Sequence, residues 1–359
     1  MKKLLLVHPD VSRLGGIEGY FLKVRPHFTL SHESCGNSSR PGEKGLFSRF
    51  RRILADYLNF WRKVSKPEVT YVHINPSLQP RMFYRDWVFL WLARFHRKKT
   101  VVFFRGWDSK FQQKLDKRNG WVFRLLYGKA DAFIVLSSTF KEVLLKWGLN
   151  QPIYQEVTVI EDEVFDAIQL DELLEQRARN NPRQLLFPSR ILRAKGIFTA
   201  IRALQEVQKT CPTTGLIVAG DGEDLVEARQ LVNDLHLDNV EFTGIVSGER
   251  KYELFRRAQI LCFPTEHDEG FPNTIVEAMA FGLPVLTRPM GGVNDFFINT
   301  QHGYVSESTD SLDFANFIQQ ILADRNRYNE IARTNHHYAN EHFRASHAAK
   351  RLEKIYKSL

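Results

Sequence analysis

Short apolar runs alternate with longer stretches of helical periodicity along the chain, and this alternation constrains the fold more than any other feature. The helical stretches include Phe198–Val207 and Leu225–Leu235. Continuous apolar strands separated by amphipathic helices are typical of parallel sheets covered on both faces. The runs predicted to be strands are Leu4–His8, Val69–Ile74, Thr100–Phe104, Ala132–Leu136, Val157–Ile160, Gln184–Pro188, Gly215–Ala219, Val240–Thr243, Ile260–Phe263 and Pro284–Thr287.

The strands fall into two series, each covering about half of the chain. A chain of 359 residues is longer than one hydrophobic core usually serves. The charged, strand-free stretch from Glu161 to Arg183 is the expected boundary. We predict an α/β chain with two doubly wound, Rossmann-like domains, over residues 1–165 and 166–340, and a last helix over 341–359 that returns to the first domain. Ligands of such sheets bind outside the carboxyl ends of the strands, so we expect the site in the cleft where the two domains face each other.

Two glutamates flank a predicted helix start in the stretch HDEGFPNTIVEAMAFGLPV. Glu269 lies in a loop beside Gly270, and Glu277 follows eight positions later. Thr274 and Glu277 also fit a capping box, which would give Glu277 a purely structural role. A helix N-terminus favours a phosphate, whereas the two carboxylates suit hydroxyl donors. The predicted ligand is therefore a sugar attached to a nucleoside diphosphate.

Cations and glycines follow other predicted strands. Arg190 follows a strand end, and Lys195 with Gly196 precedes a helix, a pattern that suits phosphate but also fits a solvated basic loop. Gly220 lies in a GDG turn between strand and helix, where a plain turn is an equal interpretation. The paired Gly15 and Gly16 after the first strand could present N–H groups to a diphosphate or form a flexible turn. Their spacing is not that of the dinucleotide-binding fingerprint.

Residues 184–292 resemble the retaining family-4 glycosyltransferases of the GT-B fold. The resemblance rests on the Glu-x7-Glu spacing of Glu269 and Glu277, on the upstream Arg and Lys in SRILRAKG, and on the paired glycines near the N-terminus. It implies that Glu277 holds the ribose, that Glu269 holds the transferred sugar, and that Arg190 and Lys195 stabilise the leaving diphosphate. It also implies a donor-binding set of Gly15, Gly16, Arg105, Gly220, Val246, Gly270, Phe271, Pro272, Asn273, Thr274 and Glu277, in which Val246 lies near the base and Pro272 has no N–H to offer.

Arg105 marks a departure from the family pattern, since many members have a histidine in an HG turn where this chain has FFRGWDS. An arginine cannot act as a base; it could stabilise phosphate charge, or pair with Asp108. The resemblance implies front-face attack assisted by the leaving phosphate, so no protein nucleophile is assigned. It implies no metal and no cofactor, with a UDP-sugar or GDP-sugar as the substrate. His337 and Glu341 have helical i,i+4 spacing, but a solvated helix face is the preferred interpretation.

Positive charge concentrates in residues 40–66, which hold eight basic and two acidic side chains of a chain whose net charge is +9. Aromatic and apolar residues recur there at helical spacing. Such a basic amphipathic helix can bind an anionic membrane surface, but the pattern also describes a helix packed on the first sheet with a solvated face. A second basic cluster, RFHRKK at 94–99, favours membrane association.

We therefore predict a retaining transferase that moves a hexose or N-acetylhexosamine to a glycan or lipid-linked acceptor, in bacterial surface polysaccharide synthesis. The alternatives are a nucleotide-sugar epimerase or hydrolase, and a catalytically inactive partner subunit. No nucleic-acid partner is expected, because no binding module is recognisable. Three scattered cysteines favour a reducing compartment. The expected location is the cytoplasm, with peripheral attachment to the inner face of the cytoplasmic membrane.

Overall fold

The structure is a computed structural model, and it describes residues 2–8, 16–36, 45–180, 182–267 and 270–359. These residues form two compact units. The first unit comprises residues 1–161, 268–271 and 345–359, and the second comprises 162–267 and 272–344. Each unit is built around its own parallel β-sheet.

The first unit contains eight strands and seven helices in its described residues. The strands are β1 (Lys3–His8), β2 (Ser31–Gly36), β3 (Val69–Ile74), β4 (Ser77–Leu78), β5 (Lys99–Phe103), β6 (Gly106–Trp107), β7 (Ala132–Val135) and β8 (Ile153–Gln155). The helices are α1 (Gly16–Val24), α2 (Leu46–Val64), α3 (Pro80–Phe95), α4 (Ser109–Asp116), α5 (Trp121–Tyr127), α6 (Ser138–Lys146) and, at the end of the chain, α15 (Ala345–Lys357).

The main sheet of the first unit has the strand order β2-β1-β3-β5-β7-β8, with every pair parallel. Its inner strands are the predicted apolar runs, and their side chains are almost entirely buried. The edge strand β2 was not predicted, because its sequence SHESCG is polar and only Cys35 is buried. The prediction of a strand at Val157–Ile160 is wrong: the sheet ends with β8, and Val159 and Ile160 are buried as part of a connection.

Helix α15 belongs to the first unit and is held there by two polar contacts. Glu353 accepts hydrogen bonds from the N–H groups of Thr29 and Leu30 and from the Thr29 hydroxyl. Arg351 donates two hydrogen bonds to the buried carboxylate of Glu156, at 2.6 and 2.8 Å. The last helix is therefore an integral part of this unit.

Helix α2 has two different faces. Phe60 and Val64 are fully buried in the core, and the Arg52–Asp56 ion pair on the same side is buried as well. On the opposite side, five large apolar side chains are 39–79% exposed. We call this set the aromatic stripe; it consists of Phe47, Phe50, Leu54, Leu58 and Trp61. One face thus packs on the domain, as one interpretation of the sequence required, and the other remains apolar and exposed.

The second unit contains eight helices and six strands in its described residues. The helices are α7 (Asp162–Ala167), α8 (Leu170–Arg179), α9 (Ile197–Gln208), α10 (Leu225–Asp234), α11 (Glu249–Arg257), α12 (Asn273–Ala280), α13 (Ser311–Ala323) and α14 (Arg325–His342). The strands are β9 (Gln184–Phe187), β10 (Gly215–Ala219), β11 (Val240–Gly244), β12 (Ile260–Phe263), β13 (Val285–Thr287) and β14 (Gly303–Val305).

The sheet of the second unit is parallel throughout, in the order β11-β10-β9-β12-β13-β14. Numbered within the unit, this is the Rossmann order 3-2-1-4-5-6, whose direction reverses between its first and fourth strands. Here these strands are β9 and β12. The crevice at their carboxyl ends is where a ligand of such a sheet binds.

Candidate active site

The two cations predicted from SRILRAKG lie in the loop that follows β9. Arg190 is exposed, and Lys195 ends a short 3₁₀ turn (Arg193–Lys195) with only 5% of its surface accessible. Burial, followed by the charge of Arg190, lowers the pKa of Lys195 to about 8. The structure thus brings these two cations close together at the reversal point of the sheet.

Three glycines around this loop are required by close backbone packing. A Cβ on Gly220 would lie 2.0 Å from the carbonyl oxygen of Ser189, and one on Gly222 would lie 2.2 Å from that of Ile191. Gly196 has a φ of +85°, and a Cβ on it would lie 2.2 Å from the carbonyl oxygen of Pro264. The GDG turn therefore supports the loop that carries Arg190.

Helix α12 starts at Asn273, directly after the β12 loop, with Pro272 as its N-cap residue. The alternative interpretation, a capping box, is wrong: no side chain caps the helix, and the Thr274 hydroxyl donates instead to the carbonyl oxygen of Pro188, 3.0 Å away. This bond ties the helix to the end of β9. Because the helix begins there, the N–H groups of Asn273 and Thr274 make no hydrogen bond within the helix and can donate to a ligand.

Glu277 lies inside α12 and is 4% exposed. Its carboxylate is contacted by the ammonium group of Lys251, with Nζ 2.6 Å from each oxygen. Lys251 comes from α11 and was not singled out from the sequence, since nothing in GERKYELF indicates a partner 26 residues away. A buried carboxylate with a cation beside it is well prepared to accept hydrogen bonds from sugar hydroxyls.

Val246 lies half-buried in the loop between β11 and α11. This loop also follows the carboxyl end of a strand, two strands away from β9 in the sheet. In the second unit, the described site residues therefore lie on loops and a helix at one edge of the sheet.

Of the remaining predicted residues, those that the structure describes belong to the first unit. Gly16 is the first residue of α1, whereas Gly15 and Glu269 lie outside the described residues. Arg105 follows β5, with its guanidinium carbon 4.0 Å from the centre of the Tyr20 ring. The proposed partner Asp108 has another role, because it caps α4 by accepting from Phe111 N.

Gly270 and Phe271 also pack within the first unit. A Cβ on Gly270 would lie 2.9 Å from Leu136 Cδ1 and 3.4 Å from the carbonyl oxygen of Arg105. The Phe271 carbonyl oxygen accepts a hydrogen bond from Thr158 Oγ1 at 3.1 Å. The structure thus places Gly270 beside the turn that carries Arg105.

Within the described ranges, no cluster of three or more histidine, cysteine, aspartate or glutamate side chains has the arrangement of a metal site. The ring of His336, in the histidine-rich stretch of α14, contacts the carbonyl oxygen of Ala280 through Nδ1. None of the described helices is long and apolar enough to cross a bilayer.

The fold is shared with several solved structures over almost the entire chain. The Anabaena protein HepE, crystallised with UDP and glucose, is 18% identical, with a TM-score of 0.75 and full coverage of both chains. Sucrose-phosphate synthase from Thermosynechococcus elongatus is 19% identical, with a TM-score of 0.75 over 100% of this chain and 99% of its own. Together with these structural neighbours, the two units, each built on a Rossmann-like sheet, identify the fold of the chain as the GT-B fold of glycosyltransferases.

Sequence comparison points to glycosyltransferases as well. Residues 171–337 match the model of the glycosyl transferases group 1. An uncharacterised glycosyltransferase of Methanocaldococcus jannaschii is 23% identical over 74% of this chain and 70% of its own length. Glycogen synthase of Mycobacterium tuberculosis is 28% identical over 61% of this chain, and the match spans about half (51%) of that enzyme.

Proposed function

We propose that the protein is a retaining glycosyltransferase that moves a hexose or N-acetylhexosamine from a nucleoside-diphosphate sugar to a glycan or lipid-linked acceptor. The observation that carries the proposal is the edge of the second sheet where β9 and β12 end. Arg190 and Lys195 supply two cations there, and α12 supplies a helix N-terminus and the carboxylate of Glu277. Cations and free N–H groups suit a diphosphate, and a buried carboxylate suits a ribose.

The donor roles follow from this chemistry. Arg190, Lys195 and the N–H groups of Asn273 and Thr274 bind the diphosphate and stabilise the charge that develops as it leaves. Glu277 accepts hydrogen bonds from the ribose, and the segment ending at Val246 contacts the base. Glu269 accepts from the hydroxyls of the transferred sugar. The other proposed donor-binding residues are Gly15, Gly16, Arg105 and Gly270.

The proposed reaction has no protein nucleophile and needs no metal ion. The diphosphate oxygen that leaves the anomeric carbon takes up the proton of the acceptor hydroxyl, which attacks from the same face, so the configuration is retained. The two cations and the helix N-terminus supply the positive charge that a metal would supply in other transferases. Uridine is the favoured base, because the neighbour HepE was crystallised with UDP and with UDP-glucose.

The acceptor is proposed to bind the first unit, which also carries the surface suited to a membrane. Trp61 of the aromatic stripe lies 5.4 Å from Phe95 on α3, and Phe95 lies 6.1 Å from Trp91, measured between ring centroids. Exposed arginines on α2, namely Arg49, Arg51 and Arg62, flank the stripe. Apolar side chains flanked by cations fit an anionic lipid surface. A lipid-linked acceptor in bacterial surface polysaccharide synthesis is consistent with this location.

The basic cluster at 94–99 contributes less to this surface than its composition suggests. Arg94 pairs with Asp131 at 2.7 Å, and Lys98 donates to the carbonyl oxygens of Lys66 and Val69. These two cations are therefore engaged in holding α3 and β5 in place. The proposed membrane contact rests on the aromatic stripe and its arginines.

The test is a thermal-shift panel of UDP, GDP, ADP and their sugar conjugates, followed by turnover of Glu269→Ala. A ligand at 100 times its Kd raises the free energy of unfolding by about 2.7 kcal/mol, an easily measured shift. We expect one nucleotide family to stabilise the protein, and Glu269→Ala to lose turnover with little change in unfolding temperature. A folded protein that no nucleotide stabilises would favour an inactive partner subunit. Turnover to another sugar on the same nucleotide, or to free sugar without an acceptor, would favour an epimerase or hydrolase.

A further inference from the structure

A cavity lined by three arginines lies in the second unit, at the end of the sheet opposite to the donor residues. Arg183, which directly precedes β9, and Gln259, which directly precedes β12, lie on its wall. The cavity thus lies at the amino ends of the two strands whose carboxyl ends carry the donor site. Its other walls come from α8, the end of α13 and the first turns of α14.

The lining of this cavity is strongly basic. Three arginines contribute, Arg177 from α8, Arg183 and Arg325 from α14, and no carboxylate is among the described lining residues. Two acids of α8 have other partners, since Asp171 pairs with Arg333 and Glu175 with Arg179. Positive charge is therefore concentrated on the described lining of the cavity, which contains no carboxylate.

Arg177 is the deepest of the three, with 2% of its surface exposed. Its Nε and Nη2 atoms donate to the carbonyl oxygens of Arg256 and Phe255, at 3.2 and 2.8 Å, which fixes the guanidinium plane. Its buried Nη1 atom has no hydrogen-bond partner of good geometry, and neither has the buried hydroxyl of Tyr328, which also lines the cavity. Burial lowers the pKa of Arg177, and the neighbouring Tyr328 only partly offsets this effect.

The Arg177 and Tyr328 side chains interact with each other, but neither Nη1 nor the hydroxyl makes a well-formed hydrogen bond, and buried polar atoms in that state are costly unless a ligand completes their hydrogen bonds. Arginine binds the oxygens of phosphate groups through paired N–H donors. The cavity volume of about 190 Å³ corresponds to roughly six water molecules at liquid density. This volume admits a phosphate group with a few attached atoms, and it is below the 300–1,000 Å³ of sites for drug-sized ligands.

We propose that this cavity is a binding site for a small phosphate-bearing anion, separate from the nucleotide-sugar site. Arg177 Nη1 and the Tyr328 hydroxyl hold the anion from below. Arg183 and Arg325 close over it from the exposed side, where Arg183 is positioned by its hydrogen bond to the carbonyl oxygen of Leu322, 2.7 Å away. The site belongs to the second unit alone.

Arg177, in the proposed anion site, also contacts α11, the helix that carries Lys251. The carbonyl groups held by Arg177 belong to the last turn of α11, and Lys251, which contacts Glu277, lies near the start of the same helix. An anion that fixes Arg177 therefore fixes one end of the helix whose other end holds the donor carboxylate.

The proposal is tested by titrating the full-length protein with sodium phosphate, and separately with glycerol 3-phosphate, against sodium chloride of equal ionic strength. The unfolding temperature gives the saturation curve, and calorimetry gives Kd and stoichiometry. All titrations use the Arg190→Gln background, so that binding of phosphate at the donor edge is weakened. We expect saturable stabilisation, and comparison of the two ligands distinguishes free phosphate from a phosphate ester.

The variants Arg183→Gln and Arg325→Gln change exposed side chains and are expected to fold. We expect each to weaken phosphate binding about tenfold, the loss of one charge-assisted contact. The matched control is Arg179→Gln, an exposed arginine of α8 that does not line the cavity, and it should bind as the background does. Equal affinity in all three variants, or no stabilisation beyond that by sodium chloride, would overturn the proposal.

Discussion

The ammonium nitrogen of Lys251 lies 2.6 Å from each carboxylate oxygen of Glu277. The two residues come from different helices, α11 and α12, and Glu277 is 4% exposed. Lys251 therefore stabilises a carboxylate that would otherwise be buried without a counter-charge. A ribose bound to Glu277 would donate its hydrogen bonds to a carboxylate whose charge is already balanced and whose orientation is fixed by Lys251.

Removal of Lys251 should therefore destabilise the unliganded protein. We expect Lys251→Met to lower the free energy of unfolding by about 3 kcal/mol, the lower end of the range for leaving a buried charge unpaired. The lower end applies because the Lys251 side chain is 27% exposed. Urea denaturation measures the change, and Arg250→Met, an exposed neighbour on the same helix, is the control.

The pairing itself is tested by a double-mutant cycle with Glu277→Gln. Because Glu277→Gln removes the charge that Lys251 balances, the double variant should be more stable than the sum of the single effects by about 1–3 kcal/mol. Additivity to within about 0.5 kcal/mol would show that the contact contributes nothing.

Lys195 should make nucleotide binding depend on pH. Burial and the charge of Arg190 lower its pKa from the ordinary 10.5 to about 8, so its ammonium form is lost as the pH rises above 8. The affinity for a nucleoside diphosphate should be greatest below pH 8 and fall by up to about tenfold per pH unit above it. Calorimetry between pH 6.5 and 9.5 measures this dependence. In Lys195→Met, binding should be weaker and this component of the pH dependence absent; an unchanged slope would contradict the assignment.

The lowered pKa of Lys195 also makes the free energy of unfolding depend on pH, and in the opposite direction to the nucleotide affinity. Between pH 8 and 10.5 the unfolded chain binds a proton at this position that the folded chain does not, so the free energy of unfolding rises with pH over this window. The contribution is measured as the difference between wild type and Lys195→Met at each pH. A difference that stays constant across the window would show that Lys195 titrates normally.

Sequence periodicity was sufficient to predict the parallel sheets, because their inner strands are short, fully apolar runs such as Gly215–Ala219. It failed where burial and strand structure do not coincide. The strand Ser31–Gly36 is polar because it lies at the edge of the sheet, where it pairs with only one other strand. The segment Val157–Ile160 is apolar because it is a buried connection, which needs apolar side chains as a buried strand does.

Within the site, local sequence was informative about residues near a strand end. Arg190 and Lys195 are five positions apart, and they lie close together in the structure. The Thr274–Glu277 pattern was misleading, because the Thr274 hydroxyl finds a partner in Pro188, 86 residues earlier. Lys251 could not be predicted for the same reason: long-range partners are determined by the packing of helices and not by spacing.

The Glu156–Arg351 pair should be a main contributor to the stability of the first unit. The Glu156 carboxylate is 1% exposed and accepts two hydrogen bonds from Arg351, whose side chain is 38% exposed. We expect Arg351→Ala to cost about 3 kcal/mol, because the buried carboxylate is left unpaired while water can partly replace the guanidinium. Lys350→Ala, exposed on the same helix, is the control for loss of a basic side chain. Equal unfolding temperatures of the two variants would show that the pair is not needed.

The aromatic stripe of α2 should determine binding to anionic membranes. We expect the triple variant Phe50→Ser/Leu54→Ser/Leu58→Ser to bind vesicles containing anionic phospholipid at least about 100-fold more weakly, since each apolar side chain contributes about 1–2 kcal/mol when it leaves water. Its unfolding temperature should hardly change, because these side chains are already exposed. Sedimentation with anionic and with neutral vesicles, at low and high salt, measures the binding.

The matched control for that variant is Trp121→Ser/Leu125→Ser on α5, which removes two exposed apolar side chains, 49% and 66% accessible, from another helix of the same unit. The control should still bind anionic vesicles. Its binding should weaken as salt is added, because salt screens the attraction between the anionic lipids and Arg49 and Arg51 beside the stripe. If the two variants bind equally well, or if neutral vesicles are bound as tightly as anionic ones, α2 is not the membrane contact. Its exposed apolar face would then have to be covered by another protein surface.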